Sequence, residues 1–209
     1  MTVPDRVVIL NNVSAARGGA TALALLLARK LRERSVPVTF VCNDRGSNPD
    51  LAAQGVEAVA VGTHDDRPEQ AGGLVTGLHN AAASRALKAW MAANDTPRTI
   101  YHLHGWAHGL SPSVFAPLRA AKGRVVLHAH DYFLACPNGA YFDYRREEAC
   151  TRRPLSISCL GTNCDKRKFI HKAWRVARHA ARQAAFNVND ARIFLIHEGM
   201  APHMARAGI

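Results

Sequence analysis

The stretch "RVVILNNVSAARGGATALALLLARKLRERS", residues 6–35, decides the fold class. Val7 to Leu10 form a continuous apolar run that ends in Asn11-Asn12, the pattern of a parallel strand buried on both faces. A short loop carries Gly18-Gly19, and a helix-like apolar segment follows. That segment closes on Arg29, Lys30, Arg32 and Arg34, cations suited to the negative end of a helix dipole. Strand, glycine turn and helix in this order open an α/β unit.

The alternation continues along the chain. "PVTFVC" (37–42), "VEAVAV" (56–61), "TIYHLH" (99–104), "RVVLHAH" (124–130) and "ARIFLIH" (191–197) read as strands. A polar loop is expected over 62–72 and a helix over 74–93. About six strands with helices between them predict an open, mainly parallel sheet, a doubly wound Rossmann-like domain. Its 209 residues are expected to form one domain, 1–209, with residues 131–165 leaving the rhythm as a Cys-rich loop. No internal repeat interrupts the pattern.

Composition narrows the class. The hydrophobic share of 48% suits a globular chain. A net charge of +11 invites an acidic partner, whether nucleic acid, anionic lipid or a phosphorylated ligand. The opening "MTVPDRVVILNN" has too short an apolar run for a secretory signal, and no run approaches the ~20 residues of a membrane span. The chain reads as cytosolic, where its five cysteines stay reduced.

In an open parallel sheet, ligands bind beyond the carboxyl ends of the strands. Three strand ends bring Asn11, Asn12, His102, His104, His108, His128, His130 and Asp131 to that rim. Strand alternation points His102 and His104 to one face, and His128 and His130 likewise. A polar cleft for a hydroxylated or phosphorylated ligand is favoured here over a histidine metal site. Gly18-Gly19 reads equally as a tight turn or as a ligand loop at a helix N-terminus. Neither G-x-G-x-x-G nor a P-loop occurs, so dinucleotide and P-loop nucleotide binding are not supported.

Cys136, Cys150, Cys159 and Cys164 fall in one window, and Cys42 lies apart on a strand as an apolar filler. Four thiols match a closed zinc site, and an iron–sulfur cluster is the lesser alternative. The segment "CDKRKFIHKAWRVARHAARQAAF" (164–186) has no acid between Asp165 and Asp190. Lys168, Lys172, Arg175, His179 and Arg182 share one helical face, and Phe169, Ala173, Val176, Ala177, Ala180 and Ala184 share another. The apolar stripe is expected to pack on the sheet. The basic face of 166–186 is expected to meet an anionic membrane surface, with nucleic acid as the competing partner.

Taken together, "RGGAT", the helix after it, "YHLHGW" and "LHAHDYFLACPNGAYFDY" resemble the N-terminal domain of family-four retaining glycosyltransferases of the GT-B fold. The run through the four cysteines to "CDKRKFIHKAWRVAR" resembles a subgroup with a cysteine-bearing insertion, found among polysaccharide and cell-envelope sugar transferases. The resemblance covers nearly the whole chain. It implies that this domain holds the sugar acceptor while a C-terminal domain holds the nucleotide-sugar donor. It implies that Gly18 and Gly19 lie near the donor diphosphate and that His130 contacts the transferred sugar.

The glutamate pair of the donor domain, spaced eight positions apart in relatives, has no counterpart among Glu33, Glu57, Glu69, Glu147, Glu148 and Glu198. The expectation is therefore half an enzyme, inactive alone, cytoplasmic and peripheral at the inner face of the plasma membrane. His130 is the expected catalytic residue, Gly18, Gly19, Asn12, His102, His104 and Asp131 are the expected substrate-binding residues, and the expected structural metal is zinc on Cys136, Cys150, Cys159 and Cys164. The alternative from another class is a zinc-bearing nucleic-acid-binding module, disfavoured by the absence of any recognised nucleic-acid motif.

Overall fold

The structure is a computed structural model that describes residues 3–16, 18–61 and 71–209. Six parallel strands form the sheet: β1 (Arg6–Asn11), β2 (Val38–Cys42), β3 (Glu57–Ala60), β4 (Thr99–Leu103), β5 (Val125–Ala129) and, after a short hairpin, β8 (Arg192–Leu195). Their order, β3-β2-β1-β4-β5-β8, reverses between β1 and β4 in the manner of a Rossmann-like sheet. The hairpin pairs β6 (Phe142–Asp143) with β7 (Glu148–Ala149) and stands apart from the sheet.

Eight helices are present among the described residues: α1 (Gly19–Arg32), α2 (Pro49–Ala53), α3 (Ala71–Leu78), α4 (Ala81–Asn94), α5 (Phe115–Leu118), α6 (Ile157–Gly161), α7 (Phe169–Ala185) and α8 (Ala201–Arg206). The expected loop over 62–72 falls outside the described residues for positions 62–70, and α3 begins at Ala71. None of these helices is long and apolar enough to cross a membrane.

Side chains on the two faces of the sheet build two cores. Val8, Leu10, Tyr101, Leu103, Val125 and Leu127 face α4, α5 and the C-terminal turns. Val7, Ile9, Val38 and Phe40 face α1 and α2. The buried residues of α1 are Thr21, Ala24 and Ala28, three to four apart, so small side chains let that helix lie close to β1 and β2. Its leucines sit at the flanks and the outer face.

The helix expected over 74–93 is two helices. Asn80 interrupts it, accepting a hydrogen bond from the Ala83 amide at 3.0 Å and so capping α4. The same side chain donates to the Gly109 carbonyl at 2.7 Å, which ties the break to the loop after β4.

The larger correction concerns α7. Its basic face points inward: Lys172, Arg178, His179 and Arg182 are buried. Its apolar stripe faces outward, with Phe169 and Ile170 exposed and Ala173, Ala177, Ala180 and Ala184 beside them. The expected arrangement is inverted because residues 131–165 wrap this face with carbonyl acceptors. Lys172 Nζ donates to the Cys159 and Thr162 carbonyls at 2.6 and 2.8 Å. Arg182 donates to the Leu134 carbonyl at 2.6 Å, and Arg175 pairs with buried Asp165 at 2.8 Å.

Candidate functional site: a histidine cluster at the carboxyl edge

Register places the histidines. His102 on β4 lies beside Ile9 of β1 and Val126 of β5, and His128 of β5 lies beside Phe194 of β8. Residues paired across parallel strands share a face, so His102, His104, His128, His130 and Phe194 stand on the side that α1 covers over β1 and β2. At β8 that face is open, with Phe194 50% and Ile196 45% exposed.

The four imidazoles form one cluster, with the His128 and His130 rings stacked. Ring centroids lie 4.5 Å apart for His102 and His104, 4.7 Å for His104 and His128, and 4.3 Å for His128 and His130. The edge of Phe194 closes on His102 and His128. His104 Nδ1 and His130 Nε2 share a hydrogen bond at 3.0 Å. Four further ring nitrogens are buried with no hydrogen-bond partner among the described residues: Nε2 of His102, Nε2 of His104, Nδ1 of His128 and Nδ1 of His130.

Burial keeps the cluster neutral. It pushes His102 down to about 4, helped by His128 and His130, and His104 down to about 2, helped by the three neighbouring rings. His130 is lowered to about 4 by burial and by His128, and burial also lowers His128. At neutral pH each ring therefore offers one N–H donor and one lone pair.

The neighbouring strand ends complete the rim. Asn11 donates to the Val13 carbonyl at 2.8 Å and to Thr21 Oγ1 at 3.0 Å, which fixes the loop between β1 and α1. Asn12 Oδ1 accepts from the Leu110 amide at 3.3 Å, so it serves the loop after β4. Gly105, just past His104, must be glycine for packing reasons: a Cβ there would meet Asn11 Oδ1 at 2.5 Å.

Gly18 has φ 139°, a conformation that glycine alone adopts readily. Among the described residues, no side chain caps the N-terminus of α1 at this point, and a Cβ on Gly18 or Gly19 would meet nothing within 4 Å. Both readings of the double glycine, a required turn and an open helix start, are thus compatible with the geometry. Asp131 turns back on its own loop, accepting from the Phe133 amide at 2.9 Å, while burial raises its pKa.

The 131–165 segment is a chain of turns, the β6–β7 hairpin and α6. All four of its cysteines are buried and unpaired. Asn138 joins two of them: Cys136 Sγ donates to its Oδ1 at 3.1 Å, and its Nδ2 donates to Cys164 Sγ at 3.4 Å. Arg152 approaches Cys150 Sγ at 3.8 Å and Lys172 approaches Cys164 Sγ at 3.3 Å. Donors aimed at sulfur are what thiolate ligands attract, so the residue types suit zinc. The sulfurs are less tightly gathered than a closed site requires. Among the described residues, the one group of three or more His, Cys, Asp or Glu ligand atoms within 4.8 Å of one another is His102, His104 and His128.

Arg178 is a rim residue that sequence reasoning missed. Its guanidinium lies over the rings of Phe133, Trp174 and Trp106 and donates to the Ala107 carbonyl at 2.6 Å. Burial lowers it to about 10. The signal available in the sequence was the spacing of Trp174 and Arg178, four apart and so on one helical face. The chain matches no protein-family model, no curated protein and no solved structure.

Proposed function

We propose that this chain is the acceptor-side, N-terminal half of a GT-B retaining glycosyltransferase, moving a sugar from a nucleotide-sugar to a lipid-linked or polysaccharide acceptor of the cell envelope. The observation that carries the reading is His130 at the end of β5, held through Nε2 by His104 with its Nδ1 unpartnered. A neutral imidazole in that state suits a sugar hydroxyl, and the carboxyl edge of a sheet ordered β3-β2-β1-β4-β5-β8 is where ligands of such folds are met. The N-terminus of α1 at Gly18-Gly19, with no side-chain cap among the described residues, suits the donor diphosphate, which a donor-binding domain would present. Asn12, His102, His104 and Asp131 shape the rim around His130, and the four buried cysteines, whose sulfurs would have to draw together to close on zinc, make the 131–165 segment a cysteine-bearing insertion.

The membrane part of the reading changes its contact surface. The inward cations of α7 do not serve it. What supports peripheral attachment is the outward apolar stripe of Phe169 and Ile170, continued by exposed Leu74 and Val75 of α3, which α7 touches through a Trp174 Nε1 hydrogen bond to the Leu74 carbonyl at 2.9 Å. Exposed Lys166, Arg167 and Lys168 flank this stripe and suit anionic headgroups at the inner face of the plasma membrane.

The test compares two proteins against radiolabelled nucleotide-sugars with membrane extract as acceptor. The 209-residue chain alone should transfer nothing. The same chain joined to a donor-binding domain should transfer, and His130→Ala should lower that transfer about 10²-fold or more with the fold intact. Turnover by the isolated chain would overturn its assignment as half an enzyme. Near-normal transfer by the folded His130→Ala protein would remove the sugar from this site. Tight binding of DNA or RNA at physiological salt, with no transfer, would favour a nucleic-acid-binding module instead.

A further inference from the structure

We infer that His102, His104 and His128 form a binding site for one divalent transition-metal ion, zinc or a chemical equivalent, separate from the four cysteines. The inference stands on the cluster's own geometry and does not rest on the sugar-transfer reading.

Three observations carry it. The ligand atoms of these three residues lie within 4.8 Å of one another, so an ion at their centre sits at most about 2.8 Å from each, and small side-chain rotations close this to the ~2.0–2.1 Å of a zinc–imidazole bond. Each ring also has a buried nitrogen without a partner: Nε2 of His102, Nε2 of His104 and Nδ1 of His128. A buried polar atom left unpaired is unfavourable, and most buried side-chain polar atoms in folded proteins find a partner. One nitrogen from each ring within 4.8 Å of the others, together with one buried unpartnered nitrogen on each ring, has a common explanation in a shared ligand that accepts three lone pairs. A cation does this, and a hydrogen-bond donor could satisfy only one or two of them.

The third observation is the support around the rings. His104 uses Nδ1 toward His130 Nε2 at 3.0 Å, which leaves Nε2 as its metal-facing atom. With Nε2 on the metal, Nδ1 of His104 carries the proton and donates to His130. A ligating histidine held this way by its other nitrogen is the usual arrangement at metal sites. His130 is then an orienting residue for the metal ligand, with its own Nδ1–H left free. Imidazole ligands favour zinc, copper, iron or nickel over magnesium or calcium. Three protein ligands leave a fourth position for water or a substrate oxygen.

Cobalt(II) is the probe, because nitrogen and thiolate sites give different spectra. The chain is stripped with chelator and titrated with cobalt(II), then with zinc(II) in competition. The expected result is one equivalent giving d–d bands without thiolate-to-cobalt charge transfer, with affinity falling about 100-fold or more in His102→Gln and in His128→Gln. The same bands should persist in Cys159→Ser. Circular dichroism checks that each variant is folded. A second measurement needs no variant: long-range proton–nitrogen spectra of ¹⁵N-histidine protein should move the ring nitrogens of three histidines when one equivalent of zinc is added. Cobalt bound only with thiolate bands, affinity unchanged in both folded histidine variants, or imidazole nitrogens unmoved by zinc would each overturn the site.

Discussion

Lys172 Nζ lies 3.3 Å from Cys164 Sγ and donates to the carbonyls of Cys159 and Thr162, with only 1% of the residue exposed. A buried ammonium is unfavourable unless its protons are matched, and here three acceptors match them. All three come from the segment that precedes α7, so this one side chain pins that segment to the helix. Lys172→Met keeps the volume and removes the ammonium's contacts, leaving the Cys159 and Thr162 carbonyls only the backbone amides of Thr162 and Cys164 at 3.4 and 3.1 Å. It should destabilise the protein by about 2–4 kcal/mol, seen as a lower urea midpoint. A midpoint within error of the parent would mean that the segment is held by other contacts.

This contact also marks how far the sequence could be read. The strands and their mainly parallel sheet followed from apolar runs and glycine loops, because parallel strands buried on both faces leave a continuous signature. The convergence of the histidines followed too, since alternation along two neighbouring strands puts His102, His104, His128 and His130 on one face. The facing of α7 did not. Periodicity separates two stripes on a helix, and only the partner decides which stripe turns inward. The partner is the 131–165 segment, whose carbonyls at Leu134, Cys159 and Thr162 and whose carboxylate at Asp165 have no periodic signal. The break at Asn80 was legible in principle, as an Asn ahead of an alanine run is a helix N-cap pattern.

The cysteine segment gives a second prediction. Protein purified without added metal should carry about one zinc per chain on thiolates, with sulfur distances near 2.3 Å by X-ray absorption. Cys136, Cys150, Cys159 and Cys164 should then resist alkylation until a chelator is added. Alkylation of all four at the rate of the denatured protein, with no zinc–sulfur scattering, would leave them as four buried thiols.

The inverted helix gives a third. Ile170 is 69% exposed beside Phe169, next to Lys166, Arg167 and Lys168. If this stripe meets a lipid surface, the chain should sediment with vesicles of mixed phosphatidylcholine and phosphatidylglycerol, and less so as salt rises. Ile170→Asp should release it while leaving the thermal midpoint within about a degree or two, because an exposed position contributes little to stability. Sedimentation unaffected by that change, or absent for the parent chain at low salt, would put the lipid contact elsewhere.

The fourth prediction concerns acid. His179 on α7 is 3% exposed, shares a 3.4 Å contact with Arg182, and is pushed down to about 3 by burial first and by the Arg182 and Arg178 charges after it. In the unfolded chain the same imidazole titrates near 6.5. Between these values the unfolded state binds a proton that the folded state refuses, so acid favours unfolding. The loss begins as the pH falls through about 6.5 and grows by about 1.4 kcal/mol per pH unit down toward the folded value. From pH 7.5 to 5.5, His179 alone should withdraw about 1.4 kcal/mol. His179→Gln carries no titrating group, so its stability should fall by that much less over the same interval. Urea denaturation of both proteins at the two pH values reads the difference directly. Parallel losses in parent and variant would mean that His179 is protonated in the fold without penalty.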